Sequence, residues 1–262
     1  MPTPEEKLFP TTKERFEDRR KERQHRDLQE EFFDHPTLLS VSRLISHGDF
    51  ASIDYPISKG KEGGVFRATA GEGFRAVKVY RIGNTVFRSL PPYVVEEIRR
   101  EASRHNFSRL VYAWTRREHT ILGRLTDCGV RVPHPYAHYR NVLVMEFIGT
   151  PEGIAAPRLN ESVVPEPEAV LADLTVQIRR MSHDAHLVHG DLSPYNILLH
   201  DGSPVLIDVA QAIPAEHPQA RGLLERDLKT LSRYFARRCA VPAFEELWSS
   251  VGGASIGPKE AA

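Results

Sequence analysis

Apolar and polar positions change texture along the chain. From Lys13 to Glu31 both charge signs are dense, with few apolar residues beyond Phe16 and Leu28. That pattern predicts an exposed helix, halted near Asp34-His35-Pro36. Leu38 to Ile45 is more apolar and predicts a second helix. From Tyr55 to Tyr80, glycines at 60, 63, 64, 71 and 73 punctuate short runs such as Val65 to Ala68 and Ala76 to Tyr80, the pattern of strands joined by tight turns. Residues 84–110 hold Pro91-Pro92, adjacent glutamates and several arginines; their weak periodicity reads as a partly mobile insertion. Tyr112 to Thr126 returns to helical spacing, with Trp114, Ile121, Leu122 and Leu125 on one stripe. Asn141 to Phe147 reads as a buried strand. A proline-rich link through residue 167 then leads to a helix with Val170, Leu171, Leu174, Ile178 and Met181 on one face. Arg221 to Phe235 predicts a closing helix. Strands first and helices afterwards make an α+β protein, with a change of lobe near Phe147 to Pro151.

Composition narrows the class. The 262 residues suffice for one sizeable domain or two modest lobes sharing a cleft. Lys plus Arg and Asp plus Glu both total 35, so net charge points to no polyanionic partner. Arg99, Arg100, Arg104, Arg109, Arg116 and Arg117 are diluted by Glu96, Glu97, Glu101 and Glu118, a solvated face rather than a direct nucleic-acid motif. Cys128 and Cys239 form no CxxC pattern, which argues against a disulfide framework and for a reducing compartment. There is no signal-peptide core, and no apolar run approaches the ~18 residues of a membrane helix. A cytoplasmic protein with no membrane partner is expected.

The chemistry concentrates in His189-Gly190-Asp191-Leu192-Ser193-Pro194-Tyr195-Asn196, followed by two apolar runs, 197–199 and 205–207, and then Asp208. Asp201-Gly202 between the runs is a turn dipeptide, so a hairpin is predicted. Its open end should set Asn196 directly beside Asp208, an amide oxygen and a carboxylate suited to Mg²⁺ carrying phosphate oxygens. Asp191, five positions before Asn196, completes the D-x-x-x-x-N spacing of a kinase catalytic loop.

A second pair points the same way. Lys78 lies mid-strand in Ala76-Val77-Lys78-Val79-Tyr80, as a phosphate-binding lysine does. Glu118 falls on the apolar stripe of its helix, where a carboxylate is costly unless paired, and Lys78 is the natural partner. Ser58 to Val65, with Gly60, Gly63 and Gly64, is a glycine-rich turn able to approach phosphate, though it matches neither common phosphate-loop pattern. His183, His186 and His189 recur every three residues, a spacing that can gather metal ligands on one helix as in a metallohydrolase, but Gly190 should already have ended that helix.

At these residues the sequence resembles the RIO family of atypical protein kinases, closest to its type-one subfamily. The resemblance runs through Ser58 to Phe66, Ala76 to Tyr80, Trp114 to Glu118, Leu143 to Gly149, Leu187 to Leu198 and Ile207 to Gln211. It implies a protein-kinase-like two-lobed fold with a mainly antiparallel N-lobe sheet and a minimal helical C-lobe. The implied divisions are a charged helical extension at 1–50, an N-lobe at 51–148, a C-lobe at 149–252 and a flexible tail at 253–262. It implies ATP with Mg²⁺ or Mn²⁺ and a serine/threonine protein substrate, itself unidentified. Asp191 would be catalytic and Lys78 would contact phosphate, paired with Glu118. Ser58, Lys61, Glu62 and Val65 would form the phosphate-facing loop, and Met145, Glu146 and Ile148 the adenine pocket. Asn196 and Asp208 would hold metal, and Asp208 could also receive phosphate transiently. Autophosphorylation, ATPase activity and association with a ribosomal precursor belong to the same implication. His-Gly-Asp is also written by aminoglycoside-type phosphotransferases, so a small-molecule kinase, or an ATP-binding scaffold in ribosome maturation, is the alternative.

Overall fold

The computed structural model describes residues 32–60, 63–82, 95, 98 and 107–258. The expected helix over 13–31, Lys61 and Glu62, and most of the 84–110 insertion lie outside the described residues. Helix α1 (His35–His47) begins on a strong local signal. Asp34 caps it, accepting from the Thr37 N–H at 2.9 Å, with Pro36 in the first turn. Gly48 closes it in the left-handed region at φ 90°.

Strands β1 (Ser52–Lys59), β2 (Gly63–Ala70), β3 (Gly73–Tyr80), β4 (Pro135–Tyr139) and β5 (Val142–Glu146) form one antiparallel sheet in the order β1-β2-β3-β5-β4. Period-two alternation decides what each face does. Val77, Val79, Val142 and Val144 pack with Phe66 against Val41 and Leu44 of α1. Ala76, Leu143 and Met145 point the other way, into a core shared with Ile121, Leu122 and Leu125 of α2 (Phe107–Asp127). Lys78, between Val77 and Val79, therefore emerges on the α2 side. The fully buried Asn141 locks α1 to the sheet, donating from Nδ2 to Thr37 Oγ1 at 2.8 Å and to the Tyr80 carbonyl at 2.9 Å.

Beyond β5 the chain becomes mainly helical. Gly149 makes the passage: a Cβ there would stand 2.2 Å from the Ile154 carbonyl oxygen, so a side chain is excluded. Helices α3 (Pro167–His183) and α4 (Ala220–Phe235) bury Leu174, Ile178, Met181, Leu224, Leu228, Leu231 and Phe235 in the same core, and Phe244 and Trp248 of α5 (Phe244–Ser250) pack against it. Two small ladders lie among them: β6 (Leu187–Val188) with β9 (Ile213–Pro214), and β7 (Ile197–His200) with β8 (Ser203–Leu206). No helix of the described residues is long and apolar enough to cross a membrane.

Candidate active site

Two cavities meet between the sheet and the helical half. One, of about 400 Å³, has Ala76, Leu122, Met145, Phe147 and Ile148 among its walls. The other, of about 330 Å³, is lined by Gly60, Gly63, Trp114, Asp191, Asn196 and Gln211, among others. Ser58, Val65, Lys78, Arg158 and Asp208 border both, so the two form an apolar room opening into an oxygen-rich one. The pair has the size and character of a nucleotide site.

Lys78 stands at the junction. Its Nζ donates to Glu118 Oε1 at 2.8 Å and to Asp208 Oδ1 at 2.6 Å. Burial pulls the lysine down, but the Asp208 and Glu118 carboxylates outweigh it and hold Lys78 above the usual lysine range. Glu118 is 1% exposed, which follows from its place on the buried stripe of α2. The Lys78 charge holds the Asp208 carboxyl below its ordinary range against the opposing effect of burial.

The hairpin forms on the expected turn, with Asp201 and Gly202 both at positive φ (49° and 77°). Its register differs from the expectation. Ile197 faces Leu206, and the Ile207 N–H donates to the Asn196 carbonyl at 3.0 Å. Asn196 thus faces Ile207, and Asp208 lies one residue further on. A two-residue turn starts β8 at Ser203, so the second strand ends at Leu206, one residue before the sequence pattern had placed its end. Asp208 does not continue the strand; at φ 59° and ψ 46° it occupies the left-handed region, strained for a residue with a Cβ. Asp191, Asn196 and Asp208 nonetheless line one cavity.

The Asp191 loop is pinned from behind. Asp227 of α4, 2% exposed, accepts from the Gly190 N–H at 2.9 Å and the Leu192 N–H at 3.0 Å. Burial pushes its carboxyl up to about 7, against those two bonds. Arg226 donates to the Gly190 carbonyl. His189 contacts the Ile207 carbonyl through Nε2 at 3.1 Å, and burial holds its ring below the usual histidine range. Asn196 donates from Nδ2 to the Asp191 carbonyl at 2.8 Å, which leaves Oδ1 as its other polar atom.

Ser58, Val65, Met145, Glu146 and Ile148 all line the cavities, while Lys61 and Glu62 lie outside the described residues. Glu146 turns its carboxylate onto Arg131 at 2.6 and 2.8 Å, so its side chain is a strut. Three contributors were not found in the sequence. Arg158 is one. Asp227 sits on the apolar stripe of α4, and the cost that singled out Glu118 would have found it too. Arg117, expected on a solvated face, instead donates to the Ala210 and Ala212 carbonyls and holds the turn after Asp208 against α2. The histidines do not converge, because α3 ends at His183, and no cluster of three or more His, Cys, Asp or Glu suits a metal among the described residues. The amide and carboxylate oxygens at Asn196 and Asp208 do fit Mg²⁺, which takes few protein ligands and completes its shell with phosphate and water.

The RIO domain family matches residues 64–247. The chain is 39% identical over 227 residues to the RIO-type serine/threonine-protein kinase Rio1 of Haloferax volcanii, covering 86% of this chain and 78% of that protein. It is 33% identical over 247 residues to the human serine/threonine-protein kinase RIO1, covering 90% of this chain but 42% of the human protein. Among solved structures, the Rio2 kinase of Chaetomium thermophilum in an ADP/Mg²⁺-phosphoaspartate complex superposes with a TM-score of 0.61 at 24% identity, over 82% of this chain and 66% of that one. That likeness establishes the protein-kinase-like fold.

Proposed function

The chain belongs to the RIO domain family, and from that premise we propose that it is an ATP-dependent serine/threonine protein kinase of the RIO1 type. One observation carries the reading: Lys78, Asp191, Asn196 and Asp208 meet in a cavity that opens onto an apolar one. The adenine would lie between Ala76, Leu122, Met145 and Ile148. Lys78, steadied by Glu118, would sit against the α- and β-phosphates. Asn196 and Asp208 would hold Mg²⁺ or Mn²⁺, which supplies charge neutralisation when bound. Asp191, exposed to the cavity on a loop fixed by Asp227, would orient the acceptor hydroxyl and take its proton. Such a site works by positioning and electrostatics.

The phosphoaspartate in the Chaetomium structure supports a second acceptor. An Asp208 carboxylate oxygen would attack the γ-phosphorus as the bond to the β–γ bridging oxygen breaks and ADP leaves. Water would then attack the phosphorus of the acyl phosphate, giving inorganic phosphate and the free carboxylate.

The test is a labelled-ATP assay with Mg²⁺ on wild type, Asp191→Asn and Asp208→Asn, following protein-bound label and free phosphate. Turnover lost in both variants is expected. Acid-stable label marks a hydroxyl acceptor; labile label that vanishes with Asp208 marks the acyl phosphate. Wild type that binds ATP without turnover, yet phosphorylates an aminoglycoside, would replace the reading with a small-molecule kinase.

A further inference from the structure

Arg158 belongs to neither the hairpin nor the lysine pair, yet it borders both cavities. Its backbone is firmly held. It bridges to Leu198, and its carbonyl accepts from the Glu161 N–H at 2.9 Å and from Ser162 Oγ at 2.7 Å. The side chain crosses the cleft, where Nη2 donates to Ser58 Oγ at 3.0 Å. A guanidinium carries five N–H donors in a planar fork, so that single bond leaves most of it unused. No carboxylate pairs with it among the described residues. Its charge still reaches the catalytic oxygens: Lys78 first, with Arg158 among the weaker contributors, holds the Asp208 carboxyl low.

A half-buried arginine with no carboxylate partner among the described residues, beside a lysine and at the mouth between an apolar and an oxygen-rich cavity, suits a phosphate chain. The fork matches phosphate oxygens two at a time, which an ammonium cannot do. We propose that Arg158 grips the phosphate chain of the nucleotide and makes the cleft discriminate nucleoside di- and triphosphates from the bare nucleoside. Ser58 aims the fork from the opposite wall. This inference rests on the cleft being the ATP site. The competing role is a mechanical one, in which Arg158 only ties β1 to the helical half.

Titration calorimetry on the full chain separates the two roles, with ATP, ADP and adenosine as ligands for wild type, Arg158→Met and Arg158→Lys. Arg158→Met should weaken ATP and ADP by roughly 10- to 100-fold, the range of charge-assisted bonds, and adenosine by less than about 2-fold. Arg158→Lys should recover part of the loss, because it restores the charge without the fork. Equal weakening of all three ligands would make Arg158 a tie between lobes and overturn the proposal, as would an unchanged ATP affinity. If Arg158→Met does not fold, the ATP-to-adenosine affinity ratio of Arg158→Lys decides: a fall supports the proposal and an unchanged ratio overturns it. Wild type that binds no nucleotide would bring down the ATP-site reading, and the proposal with it.

Discussion

Removing the charge of Glu118 tests the centre of the site. Glu118→Gln keeps the shape and an acceptor oxygen but leaves Lys78 Nζ with Asp208 as its carboxylate, now at 2.6 Å. Losing one partner of a buried pair costs about 3–5 kcal/mol when nothing replaces it. The retained acceptor and the Asp208 contact should cut this to roughly 1–2 kcal/mol. For a chain of this size that is a fall in Tm of about 3–6 °C. Lys78 would then dwell on Asp208 and compete with the metal, so half-maximal turnover should require more Mg²⁺. Thermal unfolding and ATP turnover across a Mg²⁺ series measure both effects. A double-mutant cycle sharpens the sign. Lys78→Met takes the ammonium from a 1%-exposed carboxylate, so adding Glu118→Gln should cost less Tm in that background than in wild type. An equal loss of Tm in both backgrounds would refute the coupling and the positioning role assigned to Glu118.

Two further outcomes follow from the same geometry. The Asp227 carboxyl, raised to about 7 in the folded chain, binds a proton that the unfolded chain releases near its ordinary value. Its contribution to stability is therefore complete at low pH and lost as pH rises through about 7. The stability deficit of Asp227→Asn, measured by urea unfolding, should shrink between pH 5 and 8, by at most ~1.4 kcal/mol per pH unit. His189, held low by burial, contributes with the opposite sign in that window and is present in both proteins, so the difference between them isolates Asp227. A deficit constant with pH would show the carboxyl to be ionised throughout. Gly63→Ala places a Cβ 2.2 Å from the Val79 carbonyl oxygen, opposite a main-chain group that cannot rotate away. It should open the β2–β3 ladder beside Lys78 and lower ATP affinity about 10-fold or more, a change on the order of 1.4 kcal/mol. ATP binding unchanged by titration would mean that the strands relax without cost.

What could be read ahead of the structure follows the range of the forces involved. The hairpin and its acidic ends are local: turn chemistry at Asp201-Gly202 and two short apolar runs fix them within about a dozen residues. Even there the register slipped by one, because composition marks where a strand's apolar run lies but not which residue the turn makes its last. Glu118 was legible at long range only because burial makes an unpaired carboxylate expensive, and that cost points to a cation without saying where it comes from. The same reasoning applies to Asp227 on α4. Its partners are backbone N–H groups 37 and 35 residues earlier, however, and main-chain donors carry no mark in a sequence.

Arg158 marks the limit from the other side. It sits in a proline-rich link without periodicity, and its partner Ser58 is 100 residues away. An arginine on a surface link costs nothing to solvate, so no local penalty flags it. It acquires meaning only when the fold sets it at the mouth of a cavity beside Lys78 and Asp208. Residues that make the site possible can be inferred from the expense of burying them. Residues that tune what the site accepts are affordable anywhere on the surface, and only the assembled cleft distinguishes them.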